Sequence, residues 1–438
     1  MKRLLFIAAS AISLLASPAA AQNLVINNAT LATGDGSEPV RDGQVIVLDG
    51  EVVHAGPERV SMVPPGTPVI NADGAWVTPG IFASVTTIGI WDVGAVSESN
   101  DIRAGGSPFS AALDVELAVN PNNQHVMIHR AAGITRAATA TTPSGSIFGG
   151  QGAIIDLDAD GNPITRARAF QLVDLGQGGA RLAGGSRASS YVLFKKALYE
   201  AQQLRGKTGT PQTTEIVKDD EVLLGRFDAE ALIPVLNGTQ KLFVEVERAQ
   251  DIRAAIALGK EFPRIDMVLV GASEGWMVAN EIAAAGIPVL ADPLDALPYG
   301  FDQLASTQSN IGRMKAAGVK VGINAAGMEN PRRIAQQAGN LVGLAKVPGA
   351  NGLSWGEAFA SISSIPADIA GMGGKAGVLA AGALGDVVVW SGDPLEVTSV
   401  PTRVYIGGVE QPLGNHQTRL RDRYRDLDET DLPKAYDW

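Results

Sequence analysis

Few residues in this chain can bind a metal ion or move a proton near neutral pH. It has four histidines, His54, His125, His129 and His416, and no cysteine, which excludes thiolate ligands, cysteine nucleophiles and disulfides. One pair is spaced for joint action. His125 and His129 lie four apart in Asn122-Asn123-Gln124-His125-Val126-Met127-Ile128-His129-Arg130, so a helix presents both on one face and could offer them to zinc. No third ligand is evident nearby, and the plainer reading is two polar residues on a partly exposed helix. Glu245, Glu247 and Glu274 fall near the ends of strand-like runs, where paired carboxylates could serve as general acid and base. Against this, Glu245 could be held by an arginine such as Arg136 or Arg248, and Glu247 suits the helix shell or the cap of the following helix. Ser144 and Ser146 also fall near a strand end, but no histidine is placed to activate them as nucleophiles. The glycine-rich run Gly145 to Gly152 lacks the lysine and helix of a phosphate loop and reads as structural turns. Arg419, Arg421, Arg423 and Arg425 alternate with other residues near the C-terminus, a pattern of a solvated or subunit-bridging helix face.

The elements that would position these groups follow from hydrophobic pattern. Residues 23–78 read as short strands joined by turns, with Asp49-Gly50 a strong hairpin signal because it tolerates the positive φ of a type I′ turn. From residue 81 to about 375, apolar strands such as Leu242-Phe243-Val244 and Met267-Val268-Leu269-Val270 alternate with amphipathic helices such as Ala249 to Leu258. That alternation predicts an α/β fold, a (β/α)8 barrel of parallel strands with helical crossovers. The stretch Ala159 to Arg187, rich in Gly, Ala and Arg without a clear period, reads as a long insertion or flexible loop. Strand signals return at Gly385 to Trp390 and Thr402 to Gly408. The expected organisation is a signal peptide at 1–21, a small β-sandwich built from 22–80 and 376–438, and a barrel over 81–375.

Lys2 and Arg3, an apolar run from Leu4 to Leu15 and small residues at Pro18-Ala19-Ala20-Ala21 have the form of a cleavable export signal. This predicts a periplasmic or secreted protein. Removing Lys2 and Arg3 from the 35 basic residues leaves 33 against 46 acidic ones, a formal charge of −13, which argues against nucleic acid or an anionic membrane as partner. No later run reaches the roughly 20 apolar residues of a membrane span. The partners this leaves room for are a small-molecule ligand and a second copy of the chain.

The segment Val45 to Gly89, with Asp49-Gly50-Glu51-Val52-Val53, Asp73-Gly74 and Thr78-Pro79-Gly80-Ile81, resembles the entry region of the amidohydrolase superfamily. Gly382 to Trp390 with Asp393-Pro394-Leu395 resembles that family's closing strands, and the narrower likeness is to periplasmic proteins of the imidazolonepropionase type. The resemblance implies a barrel with a flanking β-sandwich and, in active members, one or two divalent metals that activate water to hydrolyse amide or related C–N bonds. It also implies ligand positions, and here these carry Val85, Thr87, Glu245 and Gly271 in place of the family's histidines, and Ala326, or Asn324, in place of its aspartate. Valine, glycine and alanine side chains have no lone pair to give. The expectation is therefore a degenerate metal site with no cofactor, in a binding or assembly scaffold. Two alternatives stand beside it. One is a hydrolase of non-peptide C–N bonds (cyclic amide, imide, N-acyl amino acid or dipeptide) working through a non-standard site at Glu245, the one reading that admits a divalent metal such as zinc; the other is a structural subunit in a hetero-oligomer with an intact paralogue.

Overall fold

The structure is a computed structural model and describes residues 23–61, 63–205, 223–325 and 330–425. The expected leader at 1–21, Ala326 and residues beyond 425 lie outside the described residues. Two eight-stranded sheets organise the chain. The N-terminal run forms β1 (Leu24–Leu31), β2 (Val40–Leu48), β3 (Glu51–Gly56), β4 (Val69–Asn71) and β5 (Trp76–Pro79). Between β2 and β3, Asp49 and Gly50 take φ of 51° and 79°, as a type I′ hairpin requires.

The barrel follows as β6 (Ile81–Thr86), β7 (Ile134–Thr139), β8 (Phe148–Asp156), β9 (Ile164–Asp174), β10 (Lys241–Val246), β11 (Met267–Gly271), β12 (Val289–Ala291) and β13 (Val321–Ile323). Then β14 (Val387–Trp390), β15 (Pro401–Ile406) and β16 (Val409–Glu410) return to the first sheet, whose order is β16-β15-β14-β5-β1-β2-β3 with β4 beside β1. Both ends of the chain thus build one sheet, as the sequence indicates.

In the barrel, neighbours follow chain order from β6 to β13. The seam between first and last strands is drawn together by Ala325 N–H donating to Ser84 O at 3.1 Å and by Ser84 Oγ donating to Ile323 O at 2.7 Å. Phe82, Phe170, Leu172, Phe243, Val268 and Leu290 belong to the cluster that fills the interior, with the Phe170 and Phe243 rings stacked at 4.3 Å. This is a packed core, not a pore.

The structure corrects two expectations. β8 runs antiparallel to both β7 and β9, so the crossovers are not uniformly helical; the connectors 140–147 and 157–163 are shorter than the dozen or so residues a parallel crossover needs. The stretch Ala159 to Arg187 is not a flexible insertion, since it contains β9 and the helix Gln177–Leu182. Its strand is exposed and arginine-bearing at first (Arg166, Arg168), then buried on both faces from Ala169 to Val173, so no clean alternation marks it. Among the described residues no helix is long and apolar enough to cross a membrane.

One buried ion pair ties sheet to barrel. Arg136 on β7 donates Nε to Asp386 Oδ2 at 2.7 Å, the side chains 7% and 2% exposed, and donates Nη1 to Thr165 Oγ1 at 2.8 Å. Asp386 Oδ1 also accepts from Gly407 N at 3.0 Å. Removing Asp386 leaves the buried Arg136 guanidinium with only its longer contact to Asp156, at 3.6 Å, a poorly compensated buried charge. Asp386→Ala is therefore expected to lower the free energy of unfolding by about 3–5 kcal/mol, measured by urea denaturation.

Candidate functional site

The carboxyl-terminal ends of the barrel strands carry a group of acids. Side chains alternate along a strand, so Asp174 continues the inward face of Phe170 and Leu172, Glu245 that of Phe243, and Asp292 that of Leu290. With Glu247, Asp302 and Asn324 they line a recess of about 260 Å³. Asp174 accepts from Gly176 N at 2.8 Å. Glu247 accepts from Ser273 N at 2.9 Å and from Ser273 Oγ at 2.7 Å. Asn324 Nδ2 donates to Asp292 Oδ1 at 2.7 Å. Two glycines make room: a Cβ at Gly178 would stand 2.2 Å from Asp174 Oδ2, and one at Gly271 2.2 Å from Glu247 Oε1.

Among the described residues, no salt bridge reaches Asp174, Glu245, Glu247 or Asp292; Arg187 pairs with Asp251 at 2.7 Å and reaches only Asp302, at 3.7 Å. Crowded and only partly exposed, these carboxyls are pushed toward the protonated form. Burial first, then Asp174 and Asp292, push Glu245 up to about 8. Glu247 is raised by burial and then by Asp292, and Asp292 by burial and then by Asp295. Asp174 is raised by burial, with the N–H groups of Gly179 and Gly176 pulling the other way.

Glu245 is also a wall of a second, mainly apolar recess of about 170 Å³, which Val85, Thr87, Trp91, His125 and His129 help to line. The helix Gln124–Arg130 starts where Asn123 accepts from His125 N, and it carries both histidines. The His125 ring stacks on Trp91 with centroids 4.4 Å apart. His129 is 1% exposed. Its Nδ1 bonds the His125 carbonyl at 2.6 Å, so Nδ1 carries the proton and Nε2 is an acceptor, a buried one with no partner among the described residues. Burial brings His129 down to about 4 and lowers His125 as well. Both rings are neutral at pH 7.

The sequence-derived candidates are thus distributed unevenly. Val85 and Thr87 line the apolar recess, Val85 with a φ of 45° that a β-branched residue rarely adopts. Gly271 lines the acidic recess, where the carboxylate of Glu247 fills the volume that a larger side chain at 271 would take. Ala326 lies outside the described residues. Glu274 accepts from Ala249 N at 2.9 Å and from Ala305 N at 3.1 Å, so it holds the start of the helix Ala249–Glu261 and a neighbouring loop. Arg136 and Arg248 pair with Asp386 and Asp251, and Glu247 turns into the mouth rather than to the helix shell. Ser146 Oγ accepts from Phe148 N, and His54 Nε2 bonds Glu58 O. Asp174, Asp292 and Trp91 were not singled out by sequence reasoning, whereas Asn324, one of the two residues read at the family's aspartate position, lines the acidic recess. The signal for the first two is a polar residue two places beyond an inward position at a strand end.

The donor set does not fit the metal centre that the family resemblance implies. Val85 and Gly271 supply no ligand atom, and among the described residues no group of three or more His, Asp or Glu side chains could hold a metal ion.

No family model matches the chain. A curated protein of Hapsidospora irregularis, amidohydrolase tasK, is 24% identical over 406 residues, 84% of this chain. The match spans only 40% of that relative's length. The crystal structure of an amidohydrolase from Thermotoga maritima MSB8 superposes with a TM-score of 0.76 at 22% identity, covering 88% of this chain and 99% of the other. Molinate hydrolase gives 0.53 at 15% identity over 90% and 95% of the two chains. These structural likenesses concern the fold alone.

The raised carboxyls set a sign for stability against pH. Folded Glu245 keeps a proton up to about 8, whereas its ordinary value is 4.5, so between these limits the folded state holds more protons and raising the pH destabilises it. His129 acts oppositely, because its folded value is about 4 against 6.5, but its contribution to the pH dependence fades as the pH rises past 6.5, where the unfolded ring loses its proton too. From pH 6.5 to 8 the thermal midpoint is therefore expected to fall, by at most about 2 °C per pH unit for each such carboxyl. Differential scanning calorimetry should show this slope, and Glu245→Gln should flatten it.

Proposed function

We propose that this chain, whose fold is that of the amidohydrolase superfamily, is an exported binding protein that takes a small organic cation into the barrel mouth and carries out no metal-assisted hydrolysis. The observation that carries this reading is the set of four inward carboxyl groups, Asp174, Glu245, Glu247 and Asp292, that line one recess with no lysine or arginine in salt-bridge contact among the described residues. An ammonium group brings up to three N–H donors and the missing positive charge. Its arrival would drive protons off the carboxyls and form charge-assisted hydrogen bonds, the stronger kind. The mouth of such a barrel is where this architecture places its ligands.

A second reading rests on a different aspect of the same groups. Carboxyls whose environments move their proton affinities apart can divide the work of acid and base. Glu245, protonated at neutral pH, would give its proton to a leaving nitrogen, while an ionised Asp174 takes one from the attacking water. That would be hydrolysis of a cyclic amide, an imide or an N-acyl amino acid without a metal.

Calorimetric titration with butylamine, butanol and butyrate separates the two. The binding reading expects butylamine alone to bind, with proton release and with affinity rising from pH 6 to pH 8.5. Glu245→Gln is expected to weaken it about tenfold or more. Amine binding that is absent, together with imide or N-acyl hydrolysis that Glu245→Gln abolishes, would select the second reading instead.

A further inference from the structure

We propose that the apolar recess holds the other end of the same ligand: a planar aromatic or heteroaromatic ring bearing an N–H or O–H donor, which bonds Nε2 of His129 while the ring lies along the Trp91–His125 stack. The proposal rests on the cation reading above and names the class of cation.

Three observations carry it. His129 is 1% exposed, and its Nδ1 is committed to the His125 carbonyl, which leaves Nε2 as an acceptor on the opposite edge of a ring that lines the recess. That atom is buried without a hydrogen-bond partner among the described residues, and a buried acceptor that no protein donor satisfies is costly until a donor arrives. The neighbouring walls do not supply one: the hydroxyls of Thr86 and Thr141 donate to the carbonyls of Ala138 and Gly149.

The second observation is shape. Trp91 and His125 lie nearly parallel, 13° apart, and the stack, with Val85 and Leu172, lines a space of about 170 Å³. Flat rings suit such a wall, because aromatic pairs favour offset stacking.

The third is polarity. Apart from Glu245, the lining residues of this recess are uncharged once the two histidines are neutral, so a charged group would be buried there at high cost. Glu245 belongs to both recesses. A ligand that spans them therefore keeps its ammonium on the acidic side of Glu245 and its ring on the other, which describes an arylalkylamine.

Tryptamine, with an indole N–H, a flat ring and an ammonium, is the probe, compared with butylamine and with 1-methyltryptamine, which keeps ring and charge but lacks the N–H donor. By calorimetry on the whole mature chain, tryptamine is expected to bind at least tenfold more tightly than butylamine, and 1-methyltryptamine about tenfold more weakly than tryptamine. In His129→Leu, which removes the buried acceptor and so should fold, tryptamine and its methyl derivative are expected to bind alike. Trp91→Ala is expected to weaken both aromatic amines and to leave butylamine unchanged. Tryptamine binding no better than butylamine, or an N-methyl effect that persists in His129→Leu, overturns the inference while leaving the cation reading standing. If no amine binds, the cation reading fails and the inference fails with it.

Discussion

Crowded carboxyl groups without a salt-bridge partner among the described residues are the constraint around which this barrel mouth is arranged. Four of them rise from the ends of β9, β10 and β12 onto a core of Phe170, Leu172, Phe243 and Leu290, which offers them no polar partner. Their neighbours supply hydrogen bonds instead, from the backbone of Gly176, from Ser273 and from Asn324. These relieve the crowding only in part, so the group keeps protons that isolated carboxyls would have lost. The glycines at 178 and 271 exist in the same balance, because a side chain at either would displace a carboxylate.

Under the proposed reading, Glu247 and Gly271 mark where the mouth differs from a metal centre. Where the family resemblance expects a ligand-bearing residue, this chain has glycine, and the carboxylate of the preceding strand's end moves into the space. The change is mutual. Val85, another expected ligand position, instead presents a methyl-bearing surface to the apolar recess. The outcome is two adjoining environments of opposite polarity that share Glu245, one asking for positive charge and the other for a flat, neutral donor.

Much of the architecture was legible in the sequence. The Asp49-Gly50 turn, the apolar strands from Leu242 onward and the paired β-rich ends all signal their structures locally, through turn chemistry and hydrophobic pattern. The antiparallel β8 and the strand Ile164–Asp174 were not legible, because orientation depends on connector length and β9 is buried on both faces only in its second half. The site was legible residue by residue only where family likeness marked a position, as at Glu245. Asp174 and Asp292 come from strands far apart in the chain and become neighbours through barrel closure alone. The direction of Glu247 depends on the empty space at Gly271, and the engagement of Glu274 with Ala249 and Ala305 depends on a loop packing that no local pattern encodes.

The account stands or falls on whether the mouth holds a metal ion. Elemental mass spectrometry on the mature chain, purified without a histidine tag, equilibrated with zinc and then dialysed, measures this directly. The account predicts far less than one metal per chain in a folded protein. About one tightly held zinc per chain would contradict it and return the fold to metal-assisted hydrolysis.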